Sequence, residues 1–264
     1  MPSYPVVLAV LSGLVLVAEA LRPWRRSQPQ LRRGLVSDLL HLVFNGHYLG
    51  LAIFFVSSKY IIPAIDGPLS TIGLHSWVYL GAAASWPPWA QAVTALVVLD
   101  FIQWWIHRLL HAVPWLWTFH KVHHSVVDGE MDWIVSFRFH WFEAVLYKGL
   151  QYFPMAFFGF SGEAMMVQAA IGTLVGHLNH SNLDLGHGPW RYLFNSPRMH
   201  IWHHDYDIAD GRVKNFGIVF SAWDWLFGTA HLPDQPPRAI GFEGVERLPR
   251  QFFGRLLWPL VRAR

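Results

Sequence analysis

The residues most able to do chemistry in this chain are its histidines. Ten of the sixteen fall into four short clusters, each at or just beyond the end of an apolar stretch. These are His107 and His111; His120, His123 and His124; His177 and His180; and His200, His203 and His204. Burying imidazoles costs free energy unless they find partners, and neutral imidazole is a common metal ligand. The repeated spacing therefore predicts a metal site.

The spacing within each cluster suits ligands carried on helices. Residues three or four apart share a helical face, so His107 and His111 present two imidazoles side by side. Adjacent residues lie about 100° apart around a helix, so His123 and His124 are expected to point to two different metals. The last cluster repeats this arrangement, and Ser196 followed by proline predicts the start of a short helix before it.

The donor set narrows the choice of metal. The chain has no cysteine, which excludes thiolate sites and iron–sulfur clusters. The His-Glu-x-x-His motif of zinc proteases is absent, and haem would need two axial histidines rather than clusters of three. Ten imidazoles exceed the roughly four to six ligands of one ion. A redox-active pair of irons matches best, because nitrogen ligands suit iron and two irons can supply electrons to cleave dioxygen.

The elements that position these clusters are predicted to be membrane helices. Hydrophobic residues make up 53% of the 264 residues and charged residues only 14%, and the mean hydropathy is +0.27. The chain is therefore well on the apolar side of soluble proteins. The pI near 9.3 reflects a small basic excess beside apolar segments, so no nucleic-acid partner is expected. We predict an all-α fold, a polytopic membrane helical bundle with a cytoplasmic histidine-rich cap.

Four or five apolar stretches approach the roughly 20 residues that cross a bilayer, since the short fifth either crosses or forms with the fourth a hairpin that only partly crosses. They cover residues 5–21, 35–62, 89–106, 141–160 and 164–178. Five arginines follow the first stretch, between residues 22 and 33, which places its end in the cytoplasm by the positive-inside rule. Alternate threading leaves the outer loops, 63–88 and 161–163, without lysine or arginine. It also puts all four histidine clusters on the cytoplasmic face.

Two other classes of protein could use such histidines. A metal-transport protein would hold its ion near the bilayer midplane between broken helices, whereas these clusters gather at one face. A zinc-dependent membrane hydrolase would need a general base and an open metal position, for which Glu143 and Asp205 are the nearby candidates. His75, His187 and His231 are isolated and are interpreted as ordinary polar side chains rather than ligands.

Further polar residues are candidates for supporting the ligands. They are Asp100, His140, Glu143, Asn179 and Asp224. Asp100 lies two helical turns before His107, so it is expected either to orient a ligand imidazole or to pair with Lys148. In the second stretch, Asp38, His41 and His47 are expected either to line the same cavity or to bond to backbone and headgroups.

The ordered motifs resemble those of the membrane fatty acid hydroxylase and sterol desaturase superfamily. The likeness covers about residues 95–232: His107-Arg-Leu-Leu-His111, His120-Lys-Val-His123-His124, His200-Ile-Trp-His203-His204 and the closing segment Trp223-Asp224-Trp225-Leu226-Phe227-Gly228-Thr229. The resemblance implies that these eight histidines ligate two irons, and His177 and His180 match a more variable cluster. It further implies an enzyme that uses O2 and external electrons to hydroxylate or desaturate an unactivated C–H bond of a lipid.

The apolar stretches and the resemblance together predict three regions in the chain. Residues 1–90 would form N-terminal membrane helices and an outer loop, 91–232 the catalytic domain, and 233–264 a C-terminal interfacial tail. In the tail, apolar residues around Phe252 alternate with Arg250, Arg255 and Arg262, which indicates either a helix on an anionic surface or a packed terminal helix.

Electrons would come from a separate protein, because the chain lacks a Gly-rich dinucleotide motif and cysteine. Its docking surface on the cap is predicted to include Lys121, Arg212 and Lys214.

Overall fold

The structure is a computed structural model that describes residues 3–127, 130–186, 188–207 and 212–261. His187 and Arg262 lie outside these ranges. The α-helices are α1 (Tyr4–Leu21), α2 (Leu35–Val43), α3 (Leu49–Val56), α4 (Ile62–Thr71), α5 (His75–Val78), α6 (Pro88–Ala112), α7 (Pro114–His124), α8 (Trp141–Phe158), α9 (Gly162–His180), α10 (Pro197–His200), α11 (Ala222–Leu226) and α12 (Phe252–Leu256). Within the described ranges β-pairing is limited to two isolated bridges. The predicted all-α class is confirmed.

Three helices are long and apolar enough to cross a membrane: Tyr4–Leu21, Leu35–Thr71 and Pro88–Ala112. Only 22% of the first two spans is buried inside the protein, against 39% of the third, so the third is the innermost of the three. The fourth and fifth predicted stretches do form helices, α8 and α9, but these are not among the three.

The second membrane helix is longer than the sequence predicted. Segments α2, α3 and α4 form one continuous helix of 37 residues, joined by π-helical turns at Phe44–Tyr48 and Ser57–Ile61. The predicted end at residue 62 is wrong, because the helix continues through Pro63 and Pro68 to Thr71. A proline lacks an N–H and crowds the preceding turn, and a π turn directly before Pro63 is one way a helix tolerates this.

Helix α9 is central to the bundle, packing against both α6 and α1. Its start is capped by Ser161, whose hydroxyl accepts from the backbone N–H of Ala164. The preceding turn needs Gly159, which has a φ of 72°, and a Cβ there would lie 3.0 Å from the Cα of Gly81. The left-handed conformation of Gly159 ends α8 before the chain enters α9, and the missing Cβ leaves room for the segment around Gly81.

The C-terminal tail packs against α2 through one face of α12. The ring of Phe252 lies 4.8 Å from that of His41, and Arg255 Nη1 lies 3.4 Å from Asp38 Oδ1. The opposite face leaves Phe253 and Leu257 exposed. The segment is thus packed on one face, and its placement on a membrane surface stays a prediction.

Candidate metal centre

The histidine clusters converge into two groups. The five-histidine group contains His107, His111, His120, His124 and His203, and the four-histidine group contains His123, His180, His200 and His204. Within each group the candidate ligand nitrogens lie within 4.8 Å of one another. Eight of the nine histidines are buried, and His111 is half-buried. The two groups are adjacent, since the rings of His124 and His204 stack with centroids 4.4 Å apart.

Local helical geometry explains which histidine joins which group. His107 and His111 lie one turn apart on α6 and reach the same group. On α7, His123 faces the four-histidine group whereas its neighbour His124 faces the five-histidine group. His203 and His204 diverge in the same way from a 3₁₀ turn, Ile201–His204. The predicted cap is also present, since Ser196 Oγ accepts from the backbone N–H of Met199 at the start of α10.

Hydrogen bonds to ring Nδ1 atoms orient the five-histidine group. His107 Nδ1 lies 2.8 Å from the carbonyl oxygen of Phe216, and His203 Nδ1 lies 2.8 Å from that of Lys214. Each carbonyl can only accept, so each Nδ1 donates its proton and the Nε2 lone pair faces the group. His107 Nε2 has no hydrogen-bond partner within the described part of the chain.

The four-histidine group contains a pair of opposed lone pairs. His123 Nδ1 donates to the carbonyl oxygen of Arg138 at 3.2 Å, and His180 Nδ1 donates to that of Gly176 at 2.8 Å. Their Nε2 atoms are nonetheless 3.2 Å apart. Two neutral imidazoles oriented in this way present acceptor to acceptor, which is unfavourable unless a cation lies between them.

The environment disfavours a proton as that cation. Burial, reinforced by neighbouring histidines, lowers the pKa of six of these side chains well below its usual value. They are His120, His123, His124, His200, His203 and His204. In addition, neither ring nitrogen of His204 has a hydrogen-bond partner among the described residues. Buried, neutral and partly unpartnered imidazoles are the donor set that a transition-metal ion requires, so the residues fit the metals that the sequence predicted.

His177 is the one predicted ligand that lies outside both groups. Its Nε2 lies 3.0 Å from Ser12 Oγ, and its Nδ1 lies 2.7 Å from Ser136 Oγ. The side chain is fully buried between α1 and the turn Trp133–Phe137, where both ring nitrogens have partners. Its three-residue step from His180 matches the motif, but the helix turns it toward α1.

Glu143 supports the five-histidine group directly. Its Oε2 lies 2.6 Å from His120 Nδ1, and its Oε1 accepts from the backbone N–H of His140. His140 serves mainly as the N-cap of α8, since its Nδ1 accepts from the backbone N–H of Phe142. His140 Nε2 lies 3.1 Å from the carbonyl oxygen of Leu256 in the tail. This capping box therefore fixes the carboxylate that orients His120.

The structure corrects both alternatives for Asp100. Its carboxylate accepts from the backbone N–H groups of Val219 and Phe220 and from the indole N–H of Trp223. It thus secures the loop after residue 215 rather than a ligand imidazole, and Lys148 donates to Tyr152 instead. A buried carboxylate is satisfied by these three donors without a counter-ion.

Asp224 and Asn179 also hold that loop. Asp224 accepts from the backbone N–H of Phe216 at 2.9 Å and of Gly217 at 2.8 Å. Asn179 Nδ2 donates to the carbonyl oxygen of Ile218. These two side chains support the centre indirectly, because the same loop provides the carbonyl oxygen that orients His107.

A buried ion-pair network, which was not predicted from the sequence, supports the four-histidine group. Arg138, whose carbonyl oxygen accepts from His123, donates through Nε and Nη2 to Asp38 at 2.7 and 2.6 Å. Asp38 also pairs with Arg32 and Arg255. Asp38 was expected to line the cavity or bond to backbone and headgroups, and it does neither. An isolated arginine within the apolar segment around Arg138 was the available signal.

The other two polar residues of that stretch are placed locally. His41 Nδ1 lies 2.8 Å from the carbonyl oxygen of Ser37, which matches the backbone alternative. The ring of His47 packs at 5.0 Å against that of Tyr48.

A cavity of about 310 Å³ opens beside the five-histidine group. Three ligand candidates line it, His111, His124 and His203, whereas no member of the four-histidine group does so. The remaining walls combine aromatic and charged side chains, among them Trp117, Lys121, Trp202 and Lys214. A small molecule can therefore approach one of the two groups from this side.

Comparison with known proteins yields a family and several relatives. The chain is 29% identical to the ornithine lipid hydroxylase OlsE of Rhizobium tropici over 261 residues, covering 98% of this chain and 76% of that protein. It is 30% identical to the alkylglycerol monooxygenase of Xenopus tropicalis over 145 residues, covering 54% of this chain but only 30% of that protein. No solved structure matches. Residues 92–229 match the fatty acid hydroxylase family, and they include all nine converging histidines. The chain therefore belongs to the fatty acid hydroxylase family, as its motifs predicted.

Proposed function

We propose that this protein is a membrane-bound diiron oxygenase that hydroxylates an unactivated C–H bond of a lipid. In the proposal, the five-histidine group holds one iron and the four-histidine group holds the other. The observation that carries it is the convergence of nine imidazoles. Four of them keep a ring nitrogen without a hydrogen-bond partner among the described residues: His107, His120, His200 and His204. Nitrogen donors of this kind suit iron among the redox-active metals.

When bound, the two irons would supply the redox chemistry by which one atom of O2 enters the lipid and the other leaves as water, with two electrons and two protons from outside. The protein's contribution is geometric. Glu143 keeps the proton of His120 on Nδ1 and so keeps its Nε2 available as a ligand. The buried four-histidine group excludes water from one side, and the cavity admits the substrate beside the other group.

We place the centre on the cytoplasmic face and its electron source in a separate protein. The arginines after α1 support the orientation, because basic residues flanking a membrane helix mark its cytoplasmic end. The lack of cysteine and of a Gly-rich dinucleotide motif supports an external donor. Hydroxylation is favoured over desaturation because several relatives, among them OlsE and the alkylglycerol monooxygenase, bear the names of hydroxylases or monooxygenases.

The two competing functions are less well supported by the site. Glu143 is engaged by both His120 and the backbone of His140, so it is not placed to act as the general base of a zinc hydrolase. A transporter would need its ion site near the bilayer midplane, whereas α7 and the turn Ile201–His204 lie outside the three candidate spans.

The test is metal analysis of protein purified without air, followed by turnover with membrane lipids under ¹⁸O₂. We expect two irons per chain and a lipid product carrying one labelled oxygen. A double variant with His124→Ala and His204→Ala removes one ligand from each group. We expect it to lose both the bound iron and the labelled product. Zinc with hydrolysed lipid, or iron with no labelled product from any membrane lipid, would overturn the proposal.

A further inference from the structure

Residues 252–258, called the α12 segment below, lie outside the family-matched residues 92–229. They nevertheless contact three helices that carry or support the histidine groups. Helix α7 carries three of the nine histidines, α8 carries Glu143 and α2 carries Asp38. The contacts join Phe252 to His41 on α2, Trp258 to the carbonyl oxygen of Thr118 on α7, and Leu256 to His140 and Trp141 at the start of α8.

The carbonyl oxygen of Leu256 accepts two ring N–H groups. Leu256 is the last residue of α12, where a carbonyl has no partner within the helix. His140 Nε2 lies 3.1 Å from this oxygen, and Trp141 Nε1 donates to it, also at 3.1 Å. His140 Nδ1 accepts from the backbone N–H of Phe142, so the ring proton is on Nε2 and that nitrogen donates. The α12 segment therefore fixes both the orientation and the tautomer of His140.

The orientation of His140 reaches the five-histidine group through Glu143. The backbone N–H of His140 donates to Glu143 Oε1 at 3.2 Å, and Glu143 Oε2 lies 2.6 Å from His120 Nδ1. Capping α8 requires only a hydrogen-bond acceptor at this position, which a serine also supplies. The additional bond from the imidazole to Leu256 ties the residue that fixes the Glu143 carboxylate to the α12 segment.

Arg255 connects the same segment to the four-histidine group. Its side chain is buried, donates to the carbonyl oxygen of Pro249 and has Nη1 3.4 Å from Asp38 Oδ1. Asp38 holds the guanidinium of Arg138, whose carbonyl oxygen accepts from His123 Nδ1. The positions of buried charges depend on one another, because a charge left unpaired in the interior costs free energy. Arg255 therefore helps to fix the carboxylate on which the support of His123 depends.

We propose that the α12 segment positions the ligands of both histidine groups, through Leu256 and His140 for the five-histidine group and through Arg255 for the four-histidine group. This inference rests on the proposed function for the placing of one metal ion in each group. Arg255 and His140 are positioning residues, because neither is among the nine converging histidines or touches the metal. Side chains that orient ligands change metal affinity by about 10- to 100-fold, so each variant should weaken one group selectively.

The experiment titrates the metal-free full chain with Co²⁺ in competition with a chelator. Imidazole nitrogens bind Co²⁺ as well as iron, and the visible absorption of the bound ion reports its ligation. We expect two equivalents per chain. The variants His111→Ala and His180→Ala identify which equivalent belongs to the five-histidine group and which to the four-histidine group.

Two positioning variants should then act on different equivalents. Arg255→Gln is expected to weaken the equivalent of the four-histidine group by about 10-fold or more and to leave the other unchanged. His140→Ser retains a cap for α8 but cannot reach Leu256, and it should weaken the equivalent of the five-histidine group by a similar factor. Trp141→Phe removes the other N–H donated to Leu256 without touching the capping box, so it should weaken that same equivalent even if His140→Ser fails to fold.

The matched controls come from the same part of the chain. Arg250→Gln removes an exposed arginine five residues before Arg255, and Phe253→Ser changes the exposed face of α12. Both should leave the two Co²⁺ affinities unchanged. Far-ultraviolet circular dichroism checks that every variant keeps the helix content of the unsubstituted protein.

The other outcomes separate this inference from the proposed function. Unchanged affinities in all three positioning variants overturn the inference and leave the proposed function standing. Equal weakening of both equivalents by each variant also overturns it, because a general loss of stability acts on both groups alike. The titration needs neither lipid nor O2. If the selective pattern is found while the iron-loaded chain oxygenates no lipid, the positioning role stands and the proposed function fails.

Discussion

The two histidine groups differ in what holds their imidazoles in place. In the five-histidine group the supports are Glu143 and the carbonyl oxygens of Lys214 and Phe216, all within the family-matched residues 92–229. In the four-histidine group, His123 depends on Arg138, whose guanidinium is held by Asp38 from outside that range. The groups also differ in access, because only the five-histidine group lines the cavity.

This difference assigns separate tasks to the two groups. Under the proposed function the five-histidine group meets the substrate, because the cavity opens beside it. The four-histidine group is enclosed, and it is supported from the membrane helix α2 and, through Arg255, from the tail. Segments outside the family-matched residues therefore help to hold one of the two histidine groups in place.

The largest effects are expected when one candidate ligand of either histidine group is replaced. The two separate variants are His111→Ala in the five-histidine group and His180→Ala in the four-histidine group. Both are expected to reduce turnover by more than ~100-fold, since even residues that only support ligands change activity by about 10- to 100-fold. His180→Ala should lose more metal, because it leaves three donors where His111→Ala leaves four. Turnover and iron per chain measure the two effects. Full activity in either variant would show that the replaced histidine is not a metal ligand.

Asp38→Asn tests the support of the four-histidine group. The substitution leaves Arg32, Arg138 and Arg255 without their shared carboxylate, so we expect the free energy of unfolding to fall by about 3–5 kcal/mol. Chemical unfolding of the detergent-solubilised protein measures this loss. The control is Asp184→Asn, whose partner Arg198 is exposed, and it should change stability by less than about 1 kcal/mol. Equal losses of unfolding free energy in the two variants would show that the buried network contributes no more to stability than an exposed ion pair.

Glu143→Gln tests the support of the five-histidine group. The substitution replaces the carboxyl group beside His120 Nδ1 with an amide, which weakens the support of that imidazole, and we expect kcat to fall by about 10- to 100-fold. Stopped-flow or steady-state turnover measurements give kcat of the variant relative to kcat of the unsubstituted protein. Glu163→Gln, on the exposed first turn of α9, is the control and should be neutral. An unchanged kcat in Glu143→Gln would show that backbone and packing alone orient His120.

The smallest effect is expected at His177, the histidine that joins neither group. His177→Ala loses hydrogen bonds with Ser12 and Ser136, which should lower the free energy of unfolding by about 1–3 kcal/mol. Iron per chain should remain unchanged, in contrast to His180→Ala. Loss of iron from the His177 variant would indicate that His177 is a metal ligand after all.

The sequence predicted the local parts of this protein well. The helical periodicity of His107 with His111 and the divergence of His123 from His124 follow from residues per turn alone, and the structure has both. The cap at Ser196 was equally local. The family motif was specific because it combines several such local signals in order.

Interactions between distant segments were predicted less well. The pairing of Asp38 with Arg138 spans 100 residues, and Asp100 lies 119 residues before Val219, whose N–H it accepts. A carboxylate in an apolar stretch is recognisable from the sequence as a group that needs a hydrogen-bond or ion-pair partner. The sequence does not show which of several possible partners it meets in the folded protein. His177 was mispredicted for the same reason. Its spacing matches the motif, but its two ring nitrogens are hydrogen-bonded to Ser12 and Ser136, which lie far away in the sequence.

The amino-acid sequence by itself determined the helical membrane class, the absence of thiolate chemistry and the ten clustered histidines from which the converging set is drawn, because each depends on composition or on spacing within one helix. The tertiary structure alone decided the division into five and four histidines, the exclusion of His177 and the charged cavity beside one group. These features depend on which side chains meet after the helices pack, and many pairings can satisfy the same buried polar groups.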